Sequence, residues 1–131
     1  MRGFLARLLG NRGERAAAKF LKQKGYRILA RQYRNNIGEI DLIARDGDTF
    51  VFVEVKTRRS DKAGSPTDAI TYQKQQQLTR TALAYLKHKK LLLHSARFDV
   101  IAIIWPHDQA HPEIKHYENA FTTTGSGQMF S

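Results

Sequence analysis

At 131 residues, 41% of them hydrophobic, the chain has apolar material for one domain around a single packed core. It contains no Cys, which excludes disulfides and thiolate metal ligands, so any metal site has to be built from carboxylates and His. Lys and Arg outnumber Asp and Glu by 22 to 12, a formal charge of +10, and such an excess points to a polyanionic partner, nucleic acid ahead of an anionic lipid surface.

Residues 1–12 mix Arg2, Arg7 and Arg12 with Phe and Leu. Arg7 breaks any apolar signal core, so this stretch reads as a basic lead-in and the chain as cytoplasmic. A helix is predicted from Gly13 or Glu14 through Lys24, with Ala17, Phe20 and Leu21 on one face, Arg15, Lys19 and Lys22 outside, and Gly25 as its stop. Strands are predicted over 26–33 and 37–44, with Asn35, Asn36 and Gly38 in the turn between them. The Asp46-Gly47-Asp48 turn then joins 37–44 to a Val- and Phe-rich strand over 49–57 as a hairpin. Residues 58–66, with Gly64, Ser65 and Pro66, read as a mobile loop beside that strand's end.

From 67 to about 90 there is neither Gly nor Pro, and Ile70, Leu78, Ala82 and Tyr85 recur at near-helical spacing, predicting a long helix. A strand over 97–105 follows, and the strand-helix-strand order implies a right-handed crossover with parallel pairing. Residues 114–121 add a short edge strand, and the Thr-, Gly- and Ser-rich tail 122–131 is expected to be disordered. The longest apolar run, near 100–105, is far too short to span a bilayer. The fold class is therefore α/β, one domain over 13–121, with a mixed central sheet flanked by helices.

Chemistry concentrates in Gly38-Glu39-Ile40-Asp41-Leu42-Ile43-Ala44 and Val51-Phe52-Val53-Glu54-Val55-Lys56-Thr57. Side chains two apart on a strand share a face, so Glu54 and Lys56 project together while Val53 and Val55 point the other way. The turn near Gly47 leaves Asp41 and Glu54 at comparable distances on either side of it. Two carboxylates and an ammonium are thereby expected to converge. Carboxylate oxygens suit a hard cation such as Mg2+ or Mn2+, which activates water and offsets phosphoryl charge, while Lys56 orients the water or stabilises that charge. A solvated surface pair or a buried structural ion pair satisfies the same Glu-x-Lys pattern. Phe52, on Glu54's own face, argues for partial burial, which is costly without a counter-ion.

This carboxylate strand, turn and Glu-x-Lys strand, followed by a helix and a further strand, resemble the PD-(D/E)XK nuclease superfamily. Gly-Glu-Ile-Asp-Leu-Ile-Ala with Phe-Val-Glu-Val-Lys-Thr-Arg is close to the YraN family of bacterial proteins, itself similar to Holliday junction resolvases. The resemblance spans about 13–121 and implies a restriction-endonuclease-like core that cleaves DNA, with branched or structured DNA among its substrates, using Mg2+ or Mn2+. It assigns Asp41 and Glu54 to the metal, Lys56 to catalysis, and Glu14, at the start of the first helix, to an additional active-site acid. First-turn acids are also favoured by the helix dipole alone. Lys74 matches a family-typical Lys that contacts phosphate, and a homodimer is implied because a junction presents two equivalent bonds. Ile40 stands where the superfamily's name has Pro, a position that does not coordinate metal. A fold of the same kind acting only as a nucleic-acid-binding or scaffolding module remains the alternative.

Arg15, Arg58 and Arg59 are candidate phosphate contacts beside the site, with Lys62 in the adjoining loop, and contacts of this kind supply salt-sensitive affinity without reading sequence. Glu39 on the Asp41 strand, and Gln73 and Gln77 beside Lys74, are further candidates. Tyr26, Tyr33 and Tyr72 suit core or rim packing more than base stacking. In Arg97-Phe98-Asp99, Phe98 is expected in the core and Asp99 to take a bond from a basic neighbour. The five His, at 88, 94, 107, 111 and 116, follow no zinc spacing and read as surface residues.

Overall fold

The computed structural model of the chain describes residues 4–59, 67, 70–106 and 111–122, with side chains from residue 11 onward. Within them the order is α1 (Phe4–Gln23), β1 (Arg27–Arg34), β2 (Glu39–Asp46), β3 (Thr49–Arg58), α2 (Tyr72–His88), β4 (Ala96–Ile104) and β5 (Glu113–Phe121). The five strands form one sheet in sequence order, antiparallel except for the β3–β4 pair. This is the expected α/β architecture, a mixed sheet between two helices.

Two boundaries differ from expectation. α1 begins at Phe4, because 4–12 is rich in Leu, Ala and Arg and one Gly10 does not stop a helix. α2 begins at Tyr72, where Thr71, in extended conformation, caps it by accepting the Lys74 backbone N–H. The tail beyond Thr122 and most of the loop 60–69 lie outside the described residues.

α1 ends as predicted at Gly25, whose φ of 96° lets the Gly25 and Tyr26 amides return to Lys22 and Leu21 carbonyls. Ala17, Ala18 and Leu21 of α1 pack on Leu42, Ala44, Val51, Val53, Ile101 and Ile103, whereas α2 brings Leu78, Ala82, Tyr85 and Leu86 to Ile43, Phe50, Phe52, Phe98 and Val100. The helices thus cover opposite faces. β3 and β4 are buried on both, which is why their sequences run nearly continuously apolar.

Two glycines set how closely the helices approach. A Cβ on Gly13 would collide with the Thr57 side chain of β3. One on Gly38 would stand 2.8 Å from Thr81 Oγ1 and 3.1 Å from Gln77 of α2. Gly13→Ala should therefore destabilise the fold by about 1–3 kcal/mol. Thr57→Ala in the same chain should return much of that loss, measured by urea unfolding; equal losses with and without Thr57→Ala would show that the contact is not the cause.

Candidate active site

The hairpin register pairs Leu42 with Val53, Ile43 with Phe52 and Ala44 with Val51, so Asp41 falls opposite Glu54 where the β2–β3 ladder ends. There Asp41 Oδ2 accepts the Val55 backbone N–H at 2.8 Å, a side chain replacing a strand carbonyl. The Asp41 and Glu54 carboxyls are in hydrogen-bond contact with each other, and Lys56 Nζ stands 3.9 Å from Glu54 Oε1. Glu54 is only 11% exposed and Lys56 31%. Lys74, at the start of α2, is electrostatically coupled to both acids.

Burial, then the neighbouring Asp41, push the Glu54 carboxyl up to about 7, against the opposing pull of Lys74 and Lys56. Burial likewise raises Asp41, although the Val55 N–H works the other way. The ammonium groups therefore do not neutralise the pair. Burial raises both acids together, and repulsion from Asp41 adds to the rise of Glu54.

Glu14, on α1, is near enough to Asp41 for the two to act on each other electrostatically, although the oxygens of Glu14, Asp41 and Glu54 do not come together within 4.8 Å. The Glu14 pKa is raised chiefly by burial, with further contributions from Asp41 and Glu39. Its Oε2 accepts Gln32 Nε2 at 3.3 Å, while Oε1 is buried with no hydrogen-bond partner. Gln32, at a left-handed φ of 49°, also donates to Asn11 at 3.1 Å. Alternation missed this device. Ile40 packs under α2 and Leu42 under α1, so the β2 pattern changes phase around Asp41, and β1 changes phase opposite it around Gln32. A non-Gly residue at positive φ is invisible in a propensity reading.

The remaining candidates scatter around this centre. Arg58 continues the Glu54 and Lys56 face of β3 and keeps a buried, unpartnered Nη1, whereas Arg59 is exposed at the strand's end. Arg15 is exposed on α1. Glu39 is exposed and pairs with Arg34 at 3.1 Å; Gln77 donates to the Ile37 carbonyl, and Gln73 is exposed. Tyr26 and Tyr33 are packing residues, Tyr33 lying edge-on to Tyr85, while Tyr72 is exposed. Lys62 lies outside the described residues.

His116 is not the surface residue expected. Its side chain is 4% exposed, and Nε2 meets Asp99 Oδ2 at 2.7 Å. Asp99, His116 and Glu118 bring ligand atoms within 4.8 Å of one another, the one such group of metal-ligating type among the described residues. A cation is already built in, however: Arg97 donates to Asp99, Glu118, Asp46 and the Tyr26 hydroxyl. Lys24 Nζ lies 2.8 Å from His116 Nδ1, which leaves Nε2 as the nitrogen that donates to Asp99. A metal here would have to displace a guanidinium.

The Uncharacterised protein family UPF0102, the YraN family, has a family model that matches residues 13–103. The chain belongs to this family. Among its UPF0102 relatives, one from Rhodopirellula baltica is 48% identical over 125 residues, 93% of this chain and 75% of that protein. Others come from Geotalea daltonii, 52% identical over 86% of this chain and 88% of the relative, and from Syntrophus aciditrophicus, 54% over 72% and 74%. The family match covers Glu14, Asp41, Glu54, Lys56 and Lys74 as well as Arg97 and Asp99, but stops before His116 and Glu118.

Asp99 gives the fold an acid limit. Burial raises its carboxyl, but hydrogen bonds from His116, Arg97 and Asn119 outweigh burial and hold it below the usual carboxylate range. A folded value below the unfolded value of about 3.9 adds stability that is full at neutral pH and disappears as pH falls through the folded value. Asp99→Asn should flatten the fall in unfolding free energy that the parent shows as pH drops below about 4, and should leave the pH dependence between there and neutrality unchanged; an unchanged acid limb would assign it elsewhere. Arg97→Met, which strands the buried carboxylate, should cost about 3–5 kcal/mol in urea unfolding.

Proposed function

We propose that the chain is a metal-dependent nuclease that hydrolyses phosphodiester bonds in DNA, with branched DNA the first substrate to try. The observation that carries this is the buried Asp41–Glu54 dyad, whose charge two nearby lysines leave uncompensated. Its donors fit a hard divalent cation: two carboxylates whose raised pKa values an added cation would reverse, beside a buried Glu14 oxygen that has no donor. A Mg2+ or Mn2+ ion held there would supply Lewis acidity to water and phosphate oxygens.

The chain's own residues would do the rest. Asp41 and Glu54 hold the cation; the Val55 amide fixes Asp41 by its 2.8 Å bond, and the hairpin register fixes Glu54 opposite it. Glu14, held by Gln32, adds negative charge from the α1 layer that a cation at the dyad would offset. Lys56, restrained by Glu54, and Lys74, from α2, place positive charge where an incoming phosphate would build negative charge. The net charge of +10 supplies attraction for the polyanion as a whole.

Purified protein with Mn2+ or Mg2+ should nick or resolve DNA, and Asp41→Ala or Glu54→Ala should lower the rate by about 100-fold or more. Full activity in both variants would remove the assignment. DNA binding without cleavage in the parent chain would identify a non-catalytic binding module of the same fold. Because the dyad must release its proton to accept a cation, Mn2+ affinity should rise with pH through about 7, with proton release, in calorimetry at stepped pH. Affinity flat across that window would place the ion elsewhere.

A further inference from the structure

Two concave, polar regions flank the acidic cluster on opposite faces of the sheet. One, about 270 Å³, lies between α1 and β1 and is lined by Asn11, Glu14, Arg15, Arg31 and Gln32. The other, about 340 Å³, lies between the β1–β2 turn and α2 and includes Arg34, Asn35, Asn36, Glu39, Lys74 and Gln77. Their sizes sit near the lower end of small-ligand sites, about 300–1,000 Å³. Each shares a wall with the cluster. Glu14 and Glu39 both act electrostatically on Asp41's surroundings, and Lys74 acts on Asp41 and Glu54.

Each pocket is lined by cations together with side-chain amides. Arg15 and Arg31 are exposed, and Arg34 is 74% exposed, with one nitrogen on Glu39 and other N–H groups directed to solvent. Forked guanidinium donors match phosphate oxygens, while Asn and Gln side chains can both donate and accept along a sugar or base edge. The backbone has been arranged for this. Gln32's positive φ brings it to Asn11 and Glu14, and Asn35 holds the β1–β2 turn through its own Oδ1 to the Ile37 and Gly38 amides and through Nδ2 to the Thr81 carbonyl.

We propose that a single polynucleotide strand crosses the β1–β2 end of the sheet with a phosphate in each pocket, one on Arg15 and Arg31 and the other on Arg34, while Lys74 stands between that second phosphate and the dyad. This rests on the nuclease reading above and deepens it: the bond presented to the dyad has a phosphate on either side, so cleavage is internal to a chain and mononucleotides are poor substrates. Arg31 and Arg34, three apart on β1, are the residues that specify the path.

The test measures binding of labelled DNA and RNA oligonucleotides to the full chain without divalent metal, as a function of salt, so it is independent of hydrolysis. Arg31→Ala and Arg34→Ala should each lower the slope of log affinity against log salt by about 0.7 on single strands, and the double variant by about twice that. Lys87→Ala, an exposed charge in the last turn of α2, should lose less than either. The polymer bound more tightly identifies the substrate's sugar. Slopes that fall no further than with Lys87→Ala, or a double variant no weaker than one single variant, would overturn the path. A chain that passes this test yet never cuts DNA or RNA with Mn2+ keeps the pockets and loses the nuclease reading.

Discussion

Everything distinctive in this domain turns on two carboxylates that face each other at the end of a hairpin ladder with too little positive charge around them. Asp41 occupies a place where the sheet would normally supply a carbonyl to Val55, and Glu54 lies opposite it, nearly buried. Burying like charges is unfavourable, and the raised Glu54 pKa shows that Lys56 and Lys74 do not cancel the cost. A fold keeps such an arrangement only if the surrounding strands over-determine it. Here the β3–β4 pairing runs unbroken from Phe50 to Arg58, beneath the dyad, and leaves Glu54 no alternative position.

The same sheet contains a second buried aspartate, and the contrast shows which charge serves the fold. Asp99 also accepts a backbone N–H at an irregularity, from Asn119 at φ 52°, where the β4–β5 register shifts. Its remaining capacity is filled by Arg97 and His116, and its pKa moves down. Asp99 is thus complete within the chain, whereas Asp41 is completed only by another acid. Geometry alone would rank the Asp99, His116 and Glu118 group as the better metal site; the guanidinium among them reverses that ranking.

Much of this was readable from residues. Period-two alternation placed Glu54 with Lys56, and the Asp46-Gly47-Asp48 turn set the register that puts Asp41 across from Glu54. What stayed hidden depends on contacts between distant segments or on backbone conformations that no residue type announces. Gln32 looks like any polar strand residue, yet its φ of 49° reverses the pattern of β1 and carries its amide to Glu14. His116 sits in a strand of mixed polarity, and its burial comes from Phe20, Tyr26, Lys24 and Asp99, none of them nearby in sequence except through the fold. Nothing in the residue pattern singles out Arg31 and Arg34 among the many Lys and Arg of the first third of the chain.

The glycines join these two levels. Gly13 lets α1 settle against Thr57 at the point where Glu14 approaches the dyad, and Gly38 lets the β1–β2 turn settle against Gln77 and Thr81, close to Lys74. Gly13 precedes Glu14 and Gly38 lies three residues before Asp41, so the missing side chains set the distance between layers beside these acids. A larger residue at either position would have to push α1 off Thr57, or the β1–β2 turn off Thr81 and Gln77. The glycine at 13 thus brings the α1 layer in beside Glu14, whereas the glycine at 38 seats the β1–β2 turn on α2 and leaves Glu39 to its surface pair with Arg34.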